Sequence, residues 1–264
     1  MQLRGRTVLI TGASTGIGAA TARAMSARGA TVILVARSED KLRALADDLP
    51  GTAAAYPCDV GDHVAVAAMA ERVRAENGTP DLIVNNAGAG RWLFIEETDP
   101  EEFRQMVAVP FMAAFFVTRA FIQEMLDRGS GWIVNVNTPI CELAWPGALG
   151  YGCARAGMRG FDATLAADLR GTGIGVTTVI PGKVSSEYFE HNPGTEDRVP
   201  SIERLMRTLT PDDVAESICG AVERERRHVV QPLTLRLLLL QNRVMPRFGE
   251  WLAWRTGARR PSAN

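Results

Sequence analysis

A three-layer α/β domain built on a doubly wound parallel sheet is the fold that this 264-residue sequence predicts. Two observations predict it. Short runs of β-branched and aliphatic residues alternate with longer segments whose apolar positions recur at helical spacing. The first such run feeds directly into a glycine-rich turn that opens a helix. Composition agrees, because 46% hydrophobic and 22% charged residues with ordinary Gly and Pro exclude disorder, collagen and coiled coil.

In chain order, apolar runs at 7–10, 31–35, 82–84, 132–136 and 176–180 read as buried parallel strands. The segments 19–28, 41–49, 64–76, 101–128 and 154–169 read as helices between them. Pro110 falls inside the fourth of these. Lacking an N–H and crowding the carbonyl of Met106, it should bend that helix and free a carbonyl able to hold a water. Residues 185–210, with Asn192-Pro193-Gly194 and Pro200, form an irregular excursion after a strand's carboxyl end, where long loops are usually functional. Residues 1–230 therefore form one domain with a substrate loop at 183–210, and 231–264 an apolar, arginine-rich appendage.

Charge excludes one class of partner. With 29 basic and 30 acidic residues the net charge is -1, which leaves no nucleic-acid or polyanion footprint. Lys41 and Lys183 are the two lysines, so 27 of the 29 cations are arginine. Cys58, Cys141, Cys153 and Cys219 are dispersed, without the spacing of a disulfide framework or a metal site, and fit a reducing cytoplasm. The run at 7–10 is too short for a signal peptide or a transmembrane span.

The turn Thr11-Gly12-Ala13-Ser14-Thr15-Gly16-Ile17-Gly18 lies between strand and helix, the context in which backbone amides can approach a pyrophosphate at the positive end of a helix. Such a site belongs to a Rossmann-type sheet. The second strand ends Val35-Ala36-Arg37-Ser38. An NAD(H) site favours a carboxylate there for the ribose hydroxyls, whereas Arg37 offers a planar cation to a 2′-phosphate, which points to NADP(H) over NAD(H).

Together with this turn, Asp59-Val60, Asn85-Asn86-Ala87-Gly88, Tyr151 next to a helix and Pro181-Gly182 follow one another at intervals that resemble the short-chain dehydrogenase/reductase family over roughly residues 5–225. The resemblance implies that Gly12, Ser14, Thr15, Gly16, Ile17 and Gly18 surround the diphosphate, with Arg37 and Ser38 at the 2′-phosphate. It also implies Asp59 and Val60 at the adenine, Asn86, Ala87 and Gly88 along the adenosine ribose, and Pro181, Gly182 and Val184 at the nicotinamide.

By the same resemblance Tyr151 is the general acid/base, but its companions depart from the family pattern. Thirteen residues before it, Thr138 stands for the family's serine and keeps a hydroxyl able to donate to a developing alkoxide. Four residues after it, Arg155 stands for the lysine. One helical turn away on the same face, it can still favour the tyrosinate and reach the nicotinamide ribose, yet it cannot shuttle a proton. Pro110 stands for the asparagine. Asn137 and Glu142 flank Thr138 and could add polar chemistry, Lys183 follows Pro181-Gly182 near the diphosphate, and His191 lies in the 185–210 excursion.

The reading is an NADP(H)-dependent oxidoreductase acting on a carbonyl or secondary alcohol of a hydrophobic small molecule, assembled as a homodimer or homotetramer. Two alternatives stay open: a non-redox enzyme performing dehydration, isomerisation or cyclisation on this scaffold, and a catalytically silent NADP(H) binder. The 231–264 tail, with Leu237 to Leu240, Trp251 and Trp254 among arginines, is expected to cover the pocket or to form a dimer interface rather than to lie on a membrane.

Overall fold

The computed structural model describes residues 1–260. Seven strands form one parallel sheet in the order β3-β2-β1-β4-β5-β6-β7. These are β1 (Thr7–Thr11), β2 (Thr31–Ala36), β3 (Ala53–Pro57), β4 (Leu82–Asn85), β5 (Gly131–Val136), β6 (Ile174–Pro181) and β7 (His228–Gln231). Because β1 pairs with both β2 and β4, the strand order reverses there. A crevice therefore opens outside the carboxyl ends of the strands.

Alternation along the central strands builds two cores. Val8, Ile10, Val32, Leu34 and Val134 face one side with α1 (Gly16–Ala27), α2 (Glu39–Asp48) and α8 (Pro211–Glu223). Leu9, Ile33, Val35, Ile83 and Ile133 face the other, with α3 (His63–Asn77) and α5 (Ala113–Arg128). Every residue of β4 and β5 is buried, as strands covered on both faces require.

The helix expected over 101–128 is corrected by the structure. It is two helices, α4 (Pro100–Val107) and α5, separated by a wide turn at Ala108–Met112. Proline excludes the helical conformation from the residue before it, and Val109 accordingly takes an extended backbone (φ -128°, ψ 111°). The helical path is thus kinked at Pro110, as the sequence led one to expect, with Val109 out of the helical conformation. The N–H of Ala113 uses the Ala108 and Pro110 carbonyls freed by the kink.

α6 (Leu149–Asp168) carries Asp162 into the core, where Asn135 donates to its Oδ1 at 2.5 Å and Thr178 to its Oδ2 at 3.0 Å. Burial pushes this carboxyl up to about 7, against the lowering pull of Thr178, Asn135 and Arg155. A folded-state value above the ordinary 3.8 means that its stabilising contribution is fully present below about pH 4 and lost as pH rises through 7. Asp162→Asn removes this dependence. From about pH 5 to about pH 8 the melting temperature of the native protein should therefore fall relative to the variant, by the equivalent of a few kcal/mol at most. Parallel melting curves across that window would show that Asp162 does not titrate.

The boundary expected at 230 falls inside β7, so the appendage begins with α9 (Leu233–Val244) and continues in α10 (Pro246–Thr256). The excursion after β6 contains a short helix α7 (Tyr188–His191) and two 3-10 turns, Glu196–Arg198 and Ser201–Leu205. A Val184–Leu209 bridge ties its two ends together.

Candidate active site

A cleft of about 950 Å³ lies at the carboxyl end of the sheet. The residues expected to bind the cofactor line it, from Gly12, Ser14, Thr15, Gly16 and Ile17 through Arg37, Ser38, Asp59, Val60, Asn86, Ala87 and Gly88 to Pro181, Gly182 and Val184. Thr138, Tyr151 and Arg155 are in the same wall. Gly18 is not among the residues that line the cleft. A Cβ there would run into the Gly12 carbonyl oxygen and reach Asn86 Nδ2 at 2.7 Å, so Gly18 lets α1 pack against its own turn.

Thr11 explains how the turn and the loop after β4 stay together. Its hydroxyl accepts the N–H groups of Asn86 (3.0 Å) and Ala87 (3.1 Å) and donates to the Val84 carbonyl (3.4 Å). Asn86 Nδ2 donates back to the carbonyls of Thr11 (3.0 Å) and Gly12 (3.2 Å). The Asn86 amide is thus committed to holding the wall. Gly12 sits at φ +64°, a conformation that favours glycine. Thr15 precedes α1 without a side-chain bond to the first-turn amides, which leaves the positive end of the helix open to an anion. Arg37 and Ser38 are exposed at the rim, and Arg37 has no ion-pair partner among the described residues.

Tyr151 is buried in the first turn of α6. Arg155, one turn on, is 6% exposed, with Cζ 5.1 Å from the centroid of the Tyr151 ring. Its Nη1 donates to the Val136 carbonyl at 2.9 Å, and its buried Nε has no hydrogen-bond partner among the described residues. A Cβ on Gly88 would come within 2.5 Å of Nη2, so a side chain there would displace the guanidinium tip. Neither a surface position nor a carboxylate pair accounts for Arg155, for it forms no salt bridge among the described residues. Its charge lies over the face of the ring, held by the carboxyl end of β5.

Thr138 follows β5 in extended conformation, half-buried, with its hydroxyl not engaged by the 3-10 turn Pro139–Cys141 that it precedes. Asn137 fixes both neighbours: Oδ1 accepts the Thr138 N–H at 3.0 Å, and Nδ2 donates to the Arg155 carbonyl at 3.2 Å. Asn137 therefore positions the loop and the helix relative to each other. Glu142 turns away from the cleft and pairs with Arg159 at 2.6 Å. Lys183 lines the cleft but is held by Glu196 at 2.9 Å. His191 ends α7, and its side chain lies outside the described set.

The sequence reading missed the aromatic end of the cleft. Trp92 and Trp145 stand 5.6 Å apart, Trp92 and Tyr151 5.8 Å, and Tyr151 and Tyr188 6.1 Å. The Tyr188 hydroxyl donates to the Gly90 carbonyl at 2.6 Å, and burial raises its pKa. Three loops supply these rings, after β4, β5 and β6. The available signal was the position of Trp92 four residues after Gly88 and of Tyr188 in the 185–210 excursion. Glu203 also reaches this cleft, its carboxyl pushed up to about 7 by burial, with Lys183 pulling it down.

The fit to a dinucleotide rests on these features together: a glycine turn with uncapped helix amides, and, among the described residues, a rim cation without an ion-pair partner and a buried guanidinium with an unpaired Nε. Comparison with known proteins agrees. The family model described as short chain dehydrogenase matches residues 6–197. "Probable oxidoreductase EphD" of Mycobacterium tuberculosis H37Rv is 34% identical over 234 residues, 83% of this chain. The chain spans only 40% of that protein's length. The 3-oxoacyl-[acyl-carrier-protein] reductase FabG of Escherichia coli K12 is 32% identical over 187 residues, 71% of this chain and 77% of FabG. A metagenomic short-chain oxidoreductase solved in complex with NADP superposes with a TM-score of 0.74 at 29% identity, covering 88% of this chain and 98% of that one.

Proposed function

The chain belongs to the short chain dehydrogenase family, and from that premise we propose that it is an NADP(H)-dependent oxidoreductase acting on a carbonyl or secondary alcohol of an apolar small molecule. The observation that carries this reading is that Tyr151, Thr138 and Arg155 share one cleft wall with the glycine turn and Arg37. The solved relative that holds NADP supports the cofactor class.

The first-turn amides of α1 would hold the diphosphate, Arg37 and Ser38 the 2′-phosphate, and Asp59 and Val60 the adenine. Asn86, Ala87 and Gly88 would border the adenosine ribose, while Pro181, Gly182 and Val184 would border the nicotinamide. When bound, the cofactor supplies or accepts the hydride. Tyr151 Oη transfers the proton to or from the substrate oxygen, and Thr138 Oγ1 donates a hydrogen bond to that oxygen as charge develops. Arg155 keeps a fixed positive charge beside the tyrosine and does not itself relay a proton. Trp92, Trp145 and Tyr188 exclude water and favour an apolar substrate.

Arg37 tests the cofactor assignment. A guanidinium gripping a phosphate contributes about 1.5–3 kcal/mol through charge-assisted hydrogen bonds. Arg37→Glu should therefore weaken NADPH binding by about 10- to 100-fold, and leave NADH binding equal or tighter, when both are titrated by fluorescence. An unchanged ratio of the two dissociation constants would place the 2′-phosphate elsewhere or reassign the site to NAD(H).

A further inference from the structure

α9 has two apolar faces. On the inner one, Leu235 is buried with Cys141 and Ile180, and Leu239 packs on the cluster around Tyr151. On the opposite side Leu233, Leu237, Leu240 and Val244, at intervals of four, three and four, are 67%, 56%, 58% and 73% exposed. α10 repeats the division. Gly249 and Ala253 face inward, whereas Phe248, Trp251 and Trp254 stand exposed at intervals of three. A surface helix normally turns polar residues outward; here rings and leucines stand in water.

Charge identifies what covers them. Within 232–260 the single acidic residue is Glu250, against Arg236, Arg243, Arg247, Arg255, Arg259 and Arg260. Arg260 pairs with Glu96, and the other five are exposed with no ion pair among the described residues. A second copy docking through this face about a two-fold axis would bring the same arginines together, a like-charge contact that opposes association. An anionic lipid surface satisfies both halves of the pattern. Tryptophan, phenylalanine and leucine enter the headgroup boundary while arginines extend to lipid phosphates and carboxylates.

We propose that the outer face of α9 and α10 docks this protein on anionic membranes, in place of the dimer contact expected from the sequence. The inner face ties the same helices to the roof of the cleft. Asn242 Nδ2 donates to the Glu142 carbonyl at 3.0 Å, and Ala253 packs in the cluster that holds Trp92, Trp145 and Tyr151. Docking therefore sets the aromatic end of the cleft beside the lipid, where an apolar substrate is concentrated. That last step rests on the function proposed above; the docking itself does not.

The test is co-sedimentation of the full-length protein with vesicles of phosphatidylcholine alone and of phosphatidylcholine mixed equally with phosphatidylserine. Binding to the mixed vesicles is expected to be at least about tenfold tighter and to weaken with added salt. The double variant Trp251→Ser/Trp254→Ser and the charge variant Arg243→Gln/Arg247→Gln should each lose about tenfold. Melting temperature and NADPH affinity, which report the fold and the cofactor site, should stay unchanged in both. Equal, salt-insensitive binding to both vesicles would overturn the anionic specificity. Absence of binding to either would overturn the docking altogether, and a dimer in sedimentation velocity that the tryptophan variant dissociates would assign the face to self-association. NADPH turnover on a soluble ketone reads the catalytic proposal separately.

Discussion

Replacing Tyr151 by Phe is expected to lower the rate of NADPH oxidation about a thousandfold while changing NADPH affinity by no more than about twofold. The substitution removes a single oxygen. The ring keeps its contacts with Trp92 and Tyr188 and its place under the Arg155 guanidinium, so the fold and the cofactor wall are preserved. What is lost is the hydroxyl that, on the proposed mechanism, exchanges a proton with the substrate oxygen. Thr138 cannot replace it, since an aliphatic hydroxyl is a far weaker acid than a phenol and serves here to orient and polarise. Stopped-flow absorbance gives the rate and fluorescence titration the affinity. Retention of more than about a tenth of the rate would remove Tyr151 from the proton-transfer role.

The second large effect concerns Arg155. Arg155→Ala should lower kcat by about a hundredfold and also lower the melting temperature, because two functions meet in one side chain. The guanidinium satisfies the Val136 carbonyl at the end of β5, and its removal leaves that acceptor and the space beside Gly88 and the Tyr151 ring without a partner. It also places a permanent cation beside Tyr151, the proposed proton-transfer group. Arg155→Lys separates these functions. A lysine keeps the charge but is a compact point charge without the planar fork, so it should recover at least about tenfold of the lost kcat while recovering less of the stability. Equal activity in the alanine variant and the native protein would reduce Arg155 to a packing residue.

Much of this architecture was legible in residues 7–18, where an apolar run, a glycine turn and the start of a helix follow in twelve letters of sequence. The five strong strands announced themselves because burial on both faces demands unbroken β-branched runs. β3 did not, since its core is three alanines, and β7 did not, being four residues at the edge of the sheet. Their identity is set by pairing with β2 and β6, a tertiary effect that no local pattern carries. Pro110 was recognised as bending the helix, and the kink falls there; that Val109 leaves the helical conformation altogether was set by the constraint on the residue before proline.

The candidate site divides the same way. The cleft wall around the glycine turn was readable because backbone turns need particular residues at fixed spacing, Gly18 packing inward against Gly12 and Asn86. The aromatic end comes from three loops distant in sequence, and nothing in a single segment says that Trp92, Trp145 and Tyr188 meet. Arg155 could be placed on the face of Tyr151 by helical periodicity. Its burial and its bond to Val136 needed the sheet.

The most direct test of redox turnover in this cleft follows the nicotinamide absorbance of NADPH while the native protein is offered a panel of apolar ketones and aldehydes, with product analysed alongside. The expected result is a fall in absorbance matched mole for mole by alcohol, slower with NADH and absent in the Tyr151→Phe variant. Substrate converted while the absorbance stays constant would contradict it, as would tight NADPH binding with none of the panel converted.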